Sequence, residues 1–272
     1  RTLKKRRDEI NESIAEYLAF PVTDEKSWEA FRRYLDPAEE SRYAALEETA
    51  QQLGGIGGHD YPVGQIIAGP FRVLWHLMGD VNMYYAFYDH PDMVHDMMEH
   101  WLRLNTTALD RIMQRVDINL LYILEDMSCN TGMMISPALF REFLMPYYKR
   151  LVQHVRAYPS LFGICVDWDG DVRELIPLLL ECGIDGMFPF EVQAGMDVTA
   201  LREQYGSRLV LRGGIDKREL AKGRDAIDRE LERVLPTFVK SGGYIIALDH
   251  QAPPDISLSD YLYFLEKARQ YG

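Results

Sequence analysis

The sequence has little of what several classes of protein require. Its three cysteines are an odd number with no CxxC spacing, which argues against both a disulfide framework and a zinc site of paired thiolates. No apolar run approaches membrane-spanning length, and no apolar signal core follows the basic first residues. With 30 basic against 42 acidic residues, the formal net charge is −12, which disfavours nucleic acid and a membrane surface as partners. We therefore expect a cytoplasmic protein that binds neither.

The chain has enough apolar material for a folded core. Hydrophobic residues make up 47% of its 272 residues, a length that suits one large domain, or one with a small appendage. Apolar and aromatic residues recur at helical spacing before the glycine-rich loop at residues 54–58, so we predict that residues 1–53 are helical throughout. This divides the chain into an N-terminal helical segment, residues 1–55, and a larger domain, residues 56–272.

From Pro62 onward, strand-like runs alternate with helix patterns. The predicted strands are residues 63–68, 120–124, 161–166, 186–190, 209–215 and 244–248. This alternation predicts an α/β fold with a parallel sheet and crossover helices. A closed (β/α)8 barrel needs eight strands, and residues 1–53 offer no convincing pair. Either two strands lie in a missing N-terminal part, or another chain supplies them, or the sheet is open. We favour the first and expect a TIM-type barrel of which about six strands are visible and the N-terminal strands are missing.

Acidic residues, and in one case a histidine, follow nearly every predicted strand. They are Glu125 and Asp126, Asp167 and Asp169, Glu191, Asp216, and Asp249 with His250. In parallel sheets the catalytic groups lie at the carboxyl ends of the strands, so this series predicts one polar pocket and an enzyme. Carboxylates buried together there repel one another, which raises some of their pKa values and provides proton donors near neutrality.

Several short motifs accompany these strands in a fixed order. They are residues 136–137 (SP), 167–172 (DWDGDV), 175–177 (LIP), 183–186 (GIDG), 213–216 (GGID), 247–250 (ALDH) and 253–255 (PPD). As a set, the motifs resemble the uroporphyrinogen decarboxylase superfamily, from about Pro62 to the end of the chain. The resemblance implies a TIM barrel with its pocket at the strand ends, which the alternation of elements predicts independently.

The resemblance implies two chemistries. One branch of the superfamily removes carboxylates from the acetate arms of a porphyrinogen without a cofactor, using arginines and an aspartate from the first two barrel strands. The other branch moves methyl groups between small methylated compounds and a corrinoid protein, using zinc held by a His-x-Cys pair and a late cysteine. In this chain the His-x-Cys positions hold Asp167 and Asp169, and His250 replaces the late cysteine. His250 also matches a late histidine of the decarboxylase branch.

The three residues at the zinc-ligand positions all carry metal-binding atoms. Asp167, Asp169 and His250 can supply two oxygens and one imidazole nitrogen to zinc or a similar divalent ion with an open position. Such an ion polarises a methoxy or hydroxyl oxygen as a Lewis acid. Alternatively, Asp167 caps the following helix and Asp169 serves the turn, and we weigh the two interpretations about equally. Asp249 is placed to orient the ring of His250.

Further candidates follow from their places at strand ends. The candidate acid–base groups are His250, Asp126 and Glu191. The candidate substrate-binding residues are Glu125, Arg72, Arg212, Asp216 and Met127. Each has a plainer alternative: the acids bond to loop amides, the arginines neutralise the acids, and the methionine belongs to the core.

Three functions from different classes stay open. The first is metal-dependent methyl transfer with a corrinoid protein as partner. The second is decarboxylation of an acidic tetrapyrrole without a cofactor, and the third is a binding barrel without catalysis. An acidic pocket repels a polyanionic porphyrinogen, which favours methyl transfer. The sequence does not identify the small-molecule substrate and does not decide whether the chain forms a homodimer.

Overall fold

The structure is a computed structural model that describes residues 3–6, 15–239 and 241–271. The strands of these residues are β1 (Leu3–Arg6), β2 (Ala15–Ala19), β3 (Gly64–Ala68), β4 (Leu120–Leu124), β5 (Ser128–Cys129), β6 (Gly132–Met133), β7 (Gly163–Trp168), β8 (Gly186–Pro189), β9 (Val210–Arg212) and β10 (Tyr244–Ile245). The helices are α1 (Glu25–Phe31), α2 (Leu46–Gln52), α3 (Pro70–Met78), α4 (Asp80–Asp89), α5 (Pro91–Met113), α6 (Pro137–Leu139), α7 (Met145–Val155), α8 (Leu175–Glu181), α9 (Val198–Tyr205), α10 (Lys217–Leu220), α11 (Arg224–Val234) and α12 (Leu258–Ala268). Among the residues described, no helix combines the length and the apolar character needed to cross a bilayer.

One sheet contains six strands, in the order β10-β9-β8-β7-β4-β3. Parallel pairing joins β7 to β8, β8 to β9, and β9 to β10. Beyond β10, a parallel bridge between Ile215 and Leu248 continues the contact towards the following loop. Each strand of this sheet overlaps one of the six strands predicted from the sequence, so the predicted α/β architecture is confirmed. Apolar runs bounded by turn residues identified them.

The prediction that residues 1–53 are helical throughout is wrong. Strand β1 pairs antiparallel with β2, with Arg6 opposite Ala15. Short apolar runs do not distinguish a helix from a strand, and pairing with a partner strand decides the outcome. The ring of Tyr17 in β2 stacks on Phe20 at 5.5 Å between centroids, an aromatic contact that residue spacing did not indicate. The part of the prediction on residues 1–2 and 7–14 lies outside the described residues.

The chain divides into two compact units. The first comprises Arg1–Leu121 and Ala138–Phe162, and the second comprises Tyr122–Pro137 and Gly163–Gly272. The predicted domain boundary after residue 55 stays a prediction.

The first unit is mainly helical, and its helices begin at sequence signals. Asp24 caps α1 by accepting the N–H of Ser27 at 2.7 Å, while the Ser27 hydroxyl oxygen accepts the N–H of Asp24 at 3.0 Å. The same helix buries Trp28, whose indole N–H donates to Asp96 of α5 at 2.7 Å. A capping box thus sets the start of α1, and one aromatic anchor joins it to the longest helix of this unit.

The second unit contains the strands that end in acidic residues. In β4, β7 and β9 the residues on one face are fully buried, among them Ile123, Val166 and Leu211. On the other face, Tyr122 and Arg212 are only half-buried, as strand alternation requires when one face supplies the core. This second face leads to the loops at the carboxyl ends of the strands.

Candidate functional site

Three side chains from three loops converge at the carboxyl ends of the strands in the second unit. Asp169 follows β7, Glu191 follows β8 and His250 follows β10, and one ligand atom from each lies within 4.8 Å of the others. The Nε2 atom of His250 lies 3.6 Å from Oδ2 of Asp169, and the two side chains are 39% and 45% exposed. Two carboxylate oxygens and an imidazole nitrogen are a donor set that zinc accepts, so these residues fit a divalent ion. Among the described residues, this is the one group of three such side chains.

The loop that carries Asp169 is held by a small hairpin. Strand β5 pairs with β6, and the Ser128 hydroxyl donates to the Asp169 carbonyl at 2.5 Å. The N–H of Asp171 donates to the carbonyl of Cys129 at 3.0 Å. Between them, Gly170 has φ +80°, and a Cβ atom there would lie 2.8 Å from the Cys129 carbonyl. Only glycine meets both demands, so the sequence DGD forms a tight turn that presents Asp169.

The loop that carries Glu191 begins at a strained residue. Phe190 has φ 60°, a conformation that residues with a Cβ atom rarely adopt, while its side chain is 1% exposed. The next residue, Glu191, accepts the N–H of Gly170 at 3.0 Å through Oε2. Burial of the phenyl ring thus holds the backbone in the conformation from which Glu191 reaches the turn beside Asp169.

The third loop is held by a buried carboxylate. Asp249, which is 0% exposed, accepts the N–H of Val192 at 3.0 Å and the N–H of Lys217 at 3.1 Å. The ammonium of Lys217 lies 3.5 Å from Oδ1 of Asp249, with 13% of the lysine side chain exposed. His250 is the next residue along the chain, so the contacts of Asp249 determine where that ring begins.

Asp169, Glu191 and His250 together form what we call the cluster, and its electrostatics make Asp169 an unusual acid. Burial raises the pKa of Asp169, and the negative charge of Glu191 raises it further. His250 and Lys217 act in the opposite direction and do not outweigh these two effects. Asp169 therefore holds its proton to a higher pH than an ordinary aspartate.

Comparison with known proteins places this chain in a family. The profile of the uroporphyrinogen decarboxylase (URO-D) family matches residues 10–271. The chain belongs to the URO-D family. Among curated URO-D relatives, the uroporphyrinogen decarboxylase of Chlorobium limicola is 27% identical over 135 residues, which are 48% of this chain and 37% of that protein. The methylated-thiol–coenzyme M methyltransferase of Methanosarcina mazei is 25% identical over 172 residues, which are 63% of this chain and 42% of that protein.

A solved structure supports the fold of this URO-D family member. A methyltransferase from Methanosarcina mazei superimposes with a TM-score of 0.63 and 15% identity, over 94% of this chain and 72% of that one. The predicted TIM-barrel class is thereby confirmed. The chain spans less than half the length of the curated relatives described above. The predicted missing strands stay a prediction.

The cluster differs in one member from the predicted metal-ligand set, which stays a prediction. Asp167 does not belong to the cluster, and Glu191, predicted as an acid–base group, takes its place. Asp167 lies within β7, opposite Phe188 of β8, whereas the strand ends at Trp168. Side chains two residues apart in a strand point to the same face, but this alternation stops before Asp169 because the chain turns at Gly170.

Asp216 has the plainer role that the sequence left open. It caps α10, accepting the N–H of Arg218 at 2.9 Å and the guanidinium of the same residue at 2.6 Å. Burial opposes ionisation, but these bonds from Arg218 outweigh it and lower the pKa of Asp216. Its carboxylate is thus engaged within its own turn, and its predicted role in substrate binding stays a prediction.

The other predicted site residues differ in their access to a ligand. Glu125 and Met127 are 3% and 0% exposed, and Asp126 is half-buried. Arg72 belongs to the first unit. Their predicted roles in binding or acid–base chemistry stay predictions.

Arg212 lies against aromatic rings on the half-buried face of the sheet. Its guanidinium carbon is 4.7 Å from the centroid of Phe188 and 5.7 Å from that of Tyr122. The two rings meet edge to face at 5.5 Å. A cation beside two ring faces keeps its charge and gains a fixed direction, which suits it to binding an anionic group.

Sequence reasoning missed Lys217 altogether. A lysine at the start of a helix reads as a solvated surface residue, yet this one is largely buried against Asp249. Its position directly after Asp216, at the end of a strand, was the available signal. The URO-D family member therefore has a cationic as well as an acidic component at its strand ends.

Proposed function

We propose that this URO-D family member transfers methyl groups between a small methylated compound and a corrinoid protein. A divalent metal, zinc first among the candidates, would be held by Asp169, Glu191 and His250. The observation that carries the proposal is the convergence of two carboxylates and one imidazole from three loops. It is supported by the methyltransferase relative, whose similarity covers 63% of this chain, against 48% for the decarboxylase of Chlorobium limicola.

Each ligand has a structural reason to stay in place. The N–H of Gly170 holds the carboxylate of Glu191, and the hairpin at Ser128 holds the backbone of Asp169. When bound, zinc supplies a Lewis acid that polarises the sulfur or oxygen carrying the methyl group. The protein residues orient the compound and exclude competing geometries.

Arg212 is the proposed binding group for the substrate. Its guanidinium, fixed over Phe188 and Tyr122, would bind an anionic group of the methylated compound while the rings pack against its apolar part. This arrangement favours a small substrate with one acidic group.

Metal analysis tests the proposal directly. Purified protein should contain about one zinc per chain. We expect Asp169→Asn, Glu191→Gln and His250→Asn each to weaken binding of added Co²⁺ at least about tenfold. Asp171→Asn is the matched control, because this carboxylate lies two residues from Asp169 and bonds to Arg173 instead. Protein that binds no divalent metal in any preparation would contradict the proposal.

A methyl-transfer assay tests the reaction itself. With a methylated thiol and cob(I)alamin in place of the corrinoid protein, the methyl group should move from sulfur to cobalt and release the free thiol. The visible spectrum of methylcobalamin reports product, and Arg212→Gln should raise KM with little change in kcat. Product formation at equal rates with and without His250 would count against the site.

Decarboxylation is the second candidate. Curated relatives named uroporphyrinogen decarboxylase match about half of this chain. In the resemblance drawn from the sequence motifs, His250 matches that branch's late histidine. Carboxylates at Asp169 and Glu191 repel a polyanionic substrate, which disfavours this function. Loss of carboxyl groups from uroporphyrinogen in reactions that contain a chelator, measured by chromatography, would support decarboxylation over methyl transfer.

We also propose that the protein works in a reducing cytoplasm. Cys129, Cys165 and Cys182 are all free thiols, which fits that compartment. Formation of a homodimer stays a prediction.

A further inference from the structure

The buried carboxylate of Asp249 connects two of the three loops of the cluster, those that carry Glu191 and His250. Asp249 has no exposed surface, and each of its oxygens accepts a backbone N–H, one from Val192 and one from Lys217. Its own N–H donates to the carbonyl of Ile215 at 2.8 Å. These bonds join the segments that follow β8, β9 and β10 at a single side chain.

Val192 and Asp249 are each next to a cluster residue in the sequence. Val192 follows Glu191, and Asp249 precedes His250. One hydrogen bond, from the backbone N–H of Val192 to the side-chain carboxylate of Asp249, therefore connects the residues next to the two proposed ligands. Because a one-residue link leaves little freedom, the length of this bond limits how far apart the two ligands can move. We propose that Asp249 is the positioning residue that fixes the separation between Glu191 and His250. This inference rests on the proposed metal site.

A buried carboxylate is costly unless its oxygens are fully bonded. Here two backbone donors and the ammonium of Lys217, 3.5 Å away, surround it. Asp185 offers a comparison at the opposite ends of the strands, where its carboxylate accepts the N–H of Ile164 at 2.7 Å. Both aspartates bond a neighbouring segment, and for Asp249 that segment is the loop that carries Glu191.

The first test replaces the carboxylate. Asp249→Asn keeps the volume but turns an NH2 group towards one of the two N–H donors, so one loop bond is lost. In the full chain we expect Co²⁺ binding, followed by visible absorption, to weaken at least about tenfold. Asp185→Asn, the matched control, should lower the unfolding midpoint while leaving Co²⁺ affinity unchanged.

The second test removes the donor and leaves Asp249 intact. Val192 is the first residue of a short helical turn, and Glu191 before it has φ −63° and ψ 114°, so proline fits at this position. Val192→Pro deletes the N–H that Oδ2 accepts and should weaken Co²⁺ binding as Asp249→Asn does. Leu258→Pro is the matched control, because Leu258 is the first residue of α12 and is 72% exposed.

Hydrogen exchange separates this inference from the proposed function. Asp249→Asn should speed exchange of the Val192 and Lys217 amides relative to Asp185→Asn, whether or not metal is present. If the wild-type protein binds Co²⁺, and Asp249→Asn and Val192→Pro each bind it with unchanged affinity, the positioning role is overturned while the proposed function stands. Wild-type protein that binds no Co²⁺ would overturn the function; unchanged exchange at the two amides would then overturn the positioning role as well.

Discussion

Two aspartates separated by one glycine behave in opposite ways. Asp171 bonds the guanidinium and the N–H of Arg173, and these bonds lower its pKa. Asp169 faces Glu191 and His250 instead, and its pKa is raised. The same contrast separates Asp216, paired with Arg218, from the cluster. Asp171 and Asp216 are thus neutralised by arginines of their own turns, whereas Asp169 has a second carboxylate, that of Glu191, as its neighbour.

This difference separates a structural acid from an acid of the proposed site. A paired carboxylate stabilises the turn that carries it, while an acid beside another acid costs stability. Substitutions on the two sides of the comparison should therefore change stability in opposite directions.

The largest effect is expected from the turn between the two aspartates. Gly170→Ala combines a φ of +80° with a Cβ atom 2.8 Å from the Cys129 carbonyl, and should cost about 2 to 4 kcal/mol of unfolding free energy. Gly195→Ala is the matched control, because its φ is also +80° but no atom lies within 4 Å of the added Cβ. It should cost about 1 kcal/mol in urea unfolding. Equal costs would show that the hairpin gives way.

The next effect compares the two aspartates directly. Asp171→Asn removes the negative charge and one of the two oxygens that accept the Arg173 bonds, and should lower the free energy of unfolding by about 1 kcal/mol. Asp169→Asn removes a repelled charge and should raise it, by less than about 1 kcal/mol because solvent screens this 45% exposed side chain. Urea unfolding at pH 7 measures both. Destabilisation by Asp169→Asn would remove the distinction between them.

The smallest effect is expected in the dependence of stability on pH. Since the folded pKa of Asp216 is lowered, its contribution is present above the unfolded pKa of about 3.9 and is lost as the pH falls through the folded value. Asp169 acts in the opposite sense, because its raised pKa makes the folded state gain protons first and gain stability as pH falls. Unfolding between pH 3 and 7 should therefore show a shallower acid loss in Asp216→Asn and a steeper one in Asp169→Asn. Parallel curves for all three proteins would contradict this.

The sheet could be predicted from sequence, whereas the short hairpins could not. The strands of the sheet are runs of apolar residues between turn signals, which is information contained within each segment. The hairpins β1–β2 and β5–β6 depend on pairing, and Ser128–Cys129 is too short to show any period. Pairing is tertiary information, so spacing alone misses it.

The site was predicted in part for the same reason. Asp169 and His250 follow recognisable strands, but the third group depends on where a strand stops. The family resemblance pointed to Asp167, which lies inside β7 before that strand ends at Trp168, whereas Glu191 follows Phe190, whose φ is positive. Residue types reveal neither where β7 ends nor that Phe190 has a positive φ, a conformation that phenylalanine rarely adopts.

The hairpin beside Asp169 also carries a native chemical handle. Its Cys129 is exposed, while Cys165 and Cys182 are buried, so a thiol reagent should label one position. A hydrogen bond from Thr131 lowers the pKa of this thiol, which increases its reactivity near neutral pH. Because the Cys129 backbone packs on Gly170, a fluorophore attached there would lie beside the turn that carries Asp169 without any engineered cysteine.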